Sequence, residues 1–184
     1  MEALLVIDMQ KDFLSPEGKL FGGERLRRII PNVRDAIDFS RDFMPVIFTQ
    51  DWHRKDDEEF SIWPPHCIEN SEGSEIIDEL QPAEGDIFIK KRRYSAFFST
   101  DLDLVLRERN IRKIWVCGIL TNICVLHTIA DARSLNYEVT LLKDCTEALD
   151  DHDYEYAIHH ITSVLGADVI TLETFKTLRE EDVE

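Results

Sequence analysis

Three residues of this chain could together make a nucleophile. Cys124 follows Gly118-Ile119-Leu120-Thr121-Asn122-Ile123, where a strongly apolar run gives way to a helical pattern. A thiol in the first turn of a helix lies beside backbone N–H groups without intrahelical partners and at the positive end of the helix dipole, and both favour the thiolate. By position alone a packed cysteine is the better reading, because free cysteine usually behaves as a small buried hydrophobe. A nucleophile also needs a cation and a proton acceptor nearby. Lys91, just past Ile87-Phe88-Ile89, and Asp8, just past Ala3-Leu4-Leu5-Val6-Ile7, are the candidates. A lysine at the end of a buried strand is costly unless a carboxylate meets it, so a structural Asp8–Lys91 pair is the plainer alternative.

A second group has the character of a metal site. Asp51-Trp52-His53 is followed thirteen residues later by His66, held behind the stiff segment Trp63-Pro64-Pro65. One carboxylate and two imidazoles suit zinc, iron or manganese with coordination positions left open. Asp-x-His is a common pair by chance, and Asp56, Asp57, Glu58 and Glu59 read as a solvated acidic run.

These residues need a scaffold, and the apolar pattern supplies one. Residues 3–7, 46–49, 87–89, 113–117, 138–142 and 168–171 read as strands, the first ones as continuous apolar runs typical of strands buried on both faces. Helical patterns fall at 31–43, after Ser99 or Thr100, at 122–135 and at 150–165, the last ended by Gly166. The alternation predicts an α/β fold: a doubly wound, mainly parallel six-stranded sheet with helices on both faces and right-handed crossovers. In such sheets ligands bind beyond the carboxyl ends of the strands. Asp8, Asp51 with His53, Lys91 and Cys124 should then share one rim. Roughly thirty residues after His53 show little periodicity, and a loop of that length in a compact domain points to function.

Composition narrows the class. A length of 184 residues fits a single domain, 1–184. With 37 acidic against 21 basic residues the formal charge is −16, which repels nucleic acid and anionic membrane surfaces. The longest apolar run, near residues 114–120, is far too short to span a bilayer. The four cysteines show no C-x-x-C spacing, and Met1-Glu2 leads directly into a strand, so reduced thiols in a cytoplasm are expected.

Five segments carry a family resemblance: Val6-Ile7-Asp8-Met9-Gln10-x-Asp12-Phe13; Asp51-Trp52-His53; Trp63-Pro64-Pro65-His66-Cys67; Lys91-Arg92-Arg93-Tyr94-Ser95-Ala96-Phe97-x-x-Thr100-Asp101-Leu102; and Gly118-Ile119-x-Thr121-Asn122-x-Cys124-Val125. In this order they resemble the isochorismatase-like cysteine hydrolases, closest to the nicotinamidase/pyrazinamidase branch. The resemblance implies a catalytic triad of Asp8, Lys91 and Cys124, a divalent metal, zinc first with iron or manganese as alternatives, on Asp51, His53 and His66, and a substrate pocket with ring-holding walls from Phe13 and Trp63 and lined by Tyr94. It further implies a cis peptide at Ile119-Leu120, an oxyanion hole from the Leu120 and Cys124 N–H groups, and a homo-oligomer. The implied reaction converts a small amide, nicotinamide, to nicotinate and ammonia through a thioester. Two departures stand out: Asp57 where many nicotinamidases have a second histidine, and Leu120 where a small alanine is common.

Other readings remain open on residues alone. The chain could be an amidase for a carbamoyl or ureido compound, or a non-catalytic metal-binding or assembly subunit. An isochorismatase would not need Cys124. His127 is expected to be a packed or partner-contacting residue, and Cys67, Cys117 and Cys145 buried apolar positions, with Cys67 a stray ligand at most.

Overall fold

Strand β1 (Glu2–Ile7) is apolar on both faces because helices cover both. The computed structural model describes residues 1–181, and in it β1 lies at the centre of a six-stranded, all-parallel sheet. Its partners are β2 (Val46–Asp51), β3 (Ile87–Lys91), β4 (Lys113–Ile119), β5 (Glu138–Glu147) and β6 (Asp168–Ile170), in the order β3-β2-β1-β4-β5-β6. The chain winds outward from β1 to β3, then returns to place β4 against the other side of β1. That reversal opens the crevice in which doubly wound sheets bind ligands.

Two short turns, α1 (Lys11–Leu14) and α2 (Glu24–Arg27), precede α3 (Ile30–Ser40). Then come α4 (Leu102–Glu108), α5 (Leu126–Ser134), α6 (Asp151–Ser163) and α7 (Leu172–Glu181). Strand alternation divides the core in two. Leu4 and Val6 face α3 and α7 through Val33, Ile37, Leu172 and Phe175. Ala3, Leu5 and Ile7 face α4, α5 and α6 through Leu102, Leu106, Ile129 and Ile161.

Several boundaries differ from expectation. The helix placed at 31–43 ends at Ser40, while β4 and β5 run on to Ile119 and Glu147. The latter two are longer because the sheet keeps pairing past a bulge between Val116 and Gly118. Gly118 has φ +109, and a Cβ there would lie 2.1 Å from the Ile7 carbonyl oxygen, so only glycine lets β4 approach β1 this closely. The helix expected at 122–135 begins instead with a π-helical turn, Thr121–Val125, before α5. In that turn the Val125 N–H donates to the Leu120 carbonyl at 3.2 Å. Helix α7 was not anticipated. No described helix is long and apolar enough to cross a membrane.

Candidate active site

Asp8 stands one residue past β1, Asp51 and Lys91 are the last residues of β2 and β3 and pair in register, and Cys124 follows β4. The four strand ends therefore deliver these side chains to one rim, as the topology required. Lys91 Nζ donates to Asp51 Oδ1 (2.5 Å) and to the Arg93 carbonyl (3.0 Å). It also lies 2.8 Å from Asp8 Oδ2 and 3.5 Å from Cys124 Sγ. Thr49 Oγ1 donates to Asp8 Oδ1 at 2.6 Å, which leaves Oδ2 turned toward the lysine and the thiol. All four groups are buried.

Burial sets the proton affinities. It pushes the Asp8 carboxyl above its ordinary value, with Asp51 adding to the rise and Lys91 opposing it. Burial works against the Lys91 ammonium, yet Asp51 and Asp8 hold its pKa well above the usual lysine range. Asp51 goes the other way: despite burial, Lys91 and the two imidazoles keep it ionised far below the usual carboxylate range. The Cys124 thiol is pushed well up, chiefly by burial, with Lys91 opposing and Asp8 and Asp51 reinforcing. The thiolate bias expected from a helix start is thus overruled. The resting group is a thiol beside a carboxylate of raised basicity, which suits proton transfer between them.

Asp51, His53 and His66 also converge, with one ligand atom from each within 4.8 Å of the others. Nε2 of each histidine lies 3.7 Å from Asp51 Oδ2. The opposite ring nitrogens are occupied: His53 Nδ1 pairs with Asp57 Oδ2 (3.1 Å), and His66 Nδ1 with the Pro64 carbonyl (2.7 Å). His53 Nε2 is buried without a hydrogen-bond partner. Two imidazoles presenting lone pairs toward a shared carboxylate are what a divalent cation requires, so these residues fit a metal.

Sequence reasoning missed two contributors. Glu59, taken for part of a solvated run, is buried, and its Oε1 lies 3.8 Å from His53 Nε2. It is Glu59, not Asp57, that lies on the Nε2 side of His53 and lines the cavity, and burial with the nearby Asp51 raises its pKa. Gln10 clamps the Asp51 backbone: its Nε2 donates to the Asp51 carbonyl (2.9 Å) and its Oε1 accepts the Asp51 N–H (2.8 Å). Cys67 turns its sulfur to the Gly73 carbonyl at 3.7 Å and is not among the converging Asp51, His53 and His66. His127 is exposed and bonds the Ile123 carbonyl at 2.7 Å, away from Cys124.

Between the two groups lies a cavity of about 140 Å³. Phe13, Trp63 and Tyr94 line it, as do Leu120, Cys124, Asp8, Asp51, Glu59 and His66. Trp63 Nε1 donates to Tyr94 Oη at 2.9 Å, fixing two of the aromatic walls against each other. The Ile119–Leu120 peptide is cis. Neither arginine nor lysine lines the cavity, and Lys91, just behind it, is committed to two carboxylates.

The isochorismatase domain model matches residues 2–174. The chain belongs to the isochorismatase family. Among solved structures of similar proteins, nicotinamidase PncA from Bacillus subtilis is 34% identical, with a TM-score of 0.86 over 91% of this chain and 98% of that one. The pyrazinamidase of Pyrococcus horikoshii in complex with zinc is 33% identical, with a TM-score of 0.85 over 92% and 98%. N-carbamoylsarcosine amidase from Thermoplasma acidophilum is 34% identical, with a TM-score of 0.85 over 93% and 96%. This family member therefore resembles amidases with two kinds of substrate, aromatic amides and a carbamoyl amino acid.

Proposed function

We propose that this single-domain protein is a metal-dependent cysteine amidohydrolase that converts nicotinamide to nicotinate and ammonia. The observation that carries the reading is the cavity itself. It sets Cys124 and Asp8 against the aromatic walls of Phe13, Trp63 and Tyr94, and no arginine or lysine lines it. At about 140 Å³ it is well under the roughly 300–1,000 Å³ of sites for drug-sized ligands, which suits one small ring with one substituent. A carbamoyl amino acid or isochorismate would bring a carboxylate against Asp8, Asp51 and Glu59 with no arginine or lysine in the lining to pair it. A neutral aromatic amide carries no such penalty.

Asp8 takes the Cys124 proton, and the Lys91 ammonium stabilises the thiolate, which adds to the carboxamide carbon. The Leu120 and Cys124 N–H groups hold the oxyanion. Asp8 returns the proton to the leaving nitrogen, the C–N bond breaks and ammonia departs, leaving a thioester. Asp8 then draws a proton from water, whose oxygen adds to the thioester carbon and displaces the Cys124 thiolate; Asp8 hands that proton back to Cys124, and the acid product ionises. The product is an anion and meets the same carboxylates, which favours its release. A divalent ion held by Asp51, His53 and His66, with Glu59 in reach, supplies a Lewis acid able to take a ring nitrogen or a water molecule, and zinc suits this donor set.

Ammonia release from nicotinamide, pyrazinamide and an N-carbamoyl amino acid, with metal content measured on the same sample, tests the proposal. Faster turnover of the two ring amides than of the carbamoyl compound is expected, since aromatic walls and no arginine or lysine line the cavity. Preference for the carbamoyl compound would refute the assignment.

A further inference from the structure

The Asp57 carboxylate is fully buried in a run whose neighbours Asp56 and Glu58 are exposed. Its Oδ2 accepts from Arg92 Nε (2.8 Å) and meets His53 Nδ1 (3.1 Å). Its Oδ1 accepts from Arg93 Nη1 (2.9 Å) and from the Glu59 N–H (3.1 Å). About four acceptor sites are all that a carboxylate has, so this one is saturated. An ionised carboxylate can only accept, so the His53 nitrogen it meets must be the one bearing hydrogen. That fixes the tautomer and leaves Nε2, the nitrogen facing Asp51, as the lone-pair donor.

The clamp comes from the strand end that supplies Lys91, since Arg92 and Arg93 follow it directly. Both arginines are part-exposed, yet both reach inward to Asp57. The geometry points to Asp57, held by Arg92 and Arg93, as a positioning residue that sets the tautomer and aim of His53 and so governs metal affinity. His66 has only a neutral carbonyl on its Nδ1. A charged acceptor makes an imidazole the stronger ligand, so His53 should be the dominant histidine of the set. This inference rests on the reading that Asp51, His53 and His66 hold a divalent ion.

Zinc affinity, measured by competition with a chromophoric chelator on the full chain, tests it. Wild type should bind one zinc per chain, Asp57→Ala about 10–100-fold more weakly, and Arg92→Ala with Arg93→Ala also more weakly. Asp56→Ala and Glu58→Ala, which remove the same charge from exposed positions, should stay within about twofold of wild type, against the 10-fold or more of an outer-shell partner. Should Asp57→Ala fail to fold, Asp57→Asn keeps the shape, and ¹⁵N shifts of the zinc-loaded protein's histidines report whether Nδ1 of His53 keeps its hydrogen. Full affinity in Asp57→Ala or Asp57→Asn, with His53→Ala losing zinc, would overturn the inference alone. No zinc on wild type, or none lost in His53→Ala, would overturn the metal reading and the inference with it.

Discussion

Lys91 Nζ lies 2.5 Å from Asp51 Oδ1, so one buried ammonium joins the proposed nucleophile cluster to the proposed metal set. The same nitrogen is 2.8 Å from Asp8 and 3.5 Å from Cys124. Register explains the contact: Asp51 and Lys91 are paired residues of β2 and β3, and burial on both sides keeps them from solvent. Neither group can be altered without affecting both halves of the site.

Replacing Lys91 by methionine keeps the volume but leaves Asp8 and Asp51 buried without their cation. Removing one partner of a buried ion pair costs about 3–5 kcal/mol, and a loss of that size is expected in urea unfolding of Lys91→Met. Activity should fall by at least about 100-fold, because the thiolate loses its counter-charge. Unchanged stability would show that the lysine is not the charge holding these carboxylates together.

The acid limb of kcat/KM reports the coupled Asp8–Lys91–Cys124 cluster, and Asp8 must be ionised to accept the thiol proton. Its pKa is raised, so activity should begin to fall above the ordinary aspartate value of 3.8. Lys91 is held above its ordinary 10.5 and gives no limb below that pH. For stability the signs differ. The raised Asp8 favours the folded state in acid, a contribution lost as pH rises through its folded value. The depressed Asp57 contributes fully above 3.8 and loses that contribution as pH falls, so Asp57→Ala should show a shallower acid-unfolding slope. An activity limb at or below 3.8 would contradict the role given to Asp8.

Leu120 lines the cavity with its side chain while its backbone N–H is the proposed oxyanion donor. Leu120→Ala should therefore raise KM for nicotinamide by at least about 10-fold, since even one methylene is worth roughly 1–3 kcal/mol in an apolar pocket, and leave kcat within about threefold. Ring-methylated nicotinamides should gain relative to nicotinamide. A large loss of kcat at unchanged KM would move Leu120 from shape selection to chemistry.

The sheet was legible because strands buried on both faces are written as unbroken apolar runs, as in Ala3 to Ile7 and Val46 to Thr49. The rim residues followed from topology, since each stands at the end of such a run. The segment from Asp56 to Glu59 was not legible. Its 3₁₀ turn, Glu58–Ser61, is capped by Asp57 and turns Asp57 and Glu59 inward while Asp56 and Glu58 face solvent. Four consecutive acids give no sign of that alternation, because the arginines and histidine that hold two of them lie elsewhere in the chain. The π-helical turn at Thr121–Val125 was likewise hidden, since its residues have the apolar spacing of an ordinary helix.

The nucleophile is tested most directly by ammonia release from nicotinamide, with zinc-loaded wild type and Cys124→Ala assayed side by side. The mechanism predicts steady release by wild type and a loss of about 10⁴-fold or more in Cys124→Ala, the scale seen when a covalent nucleophile is removed. Release by Cys124→Ala within about tenfold of wild type, against that expected loss, would contradict it.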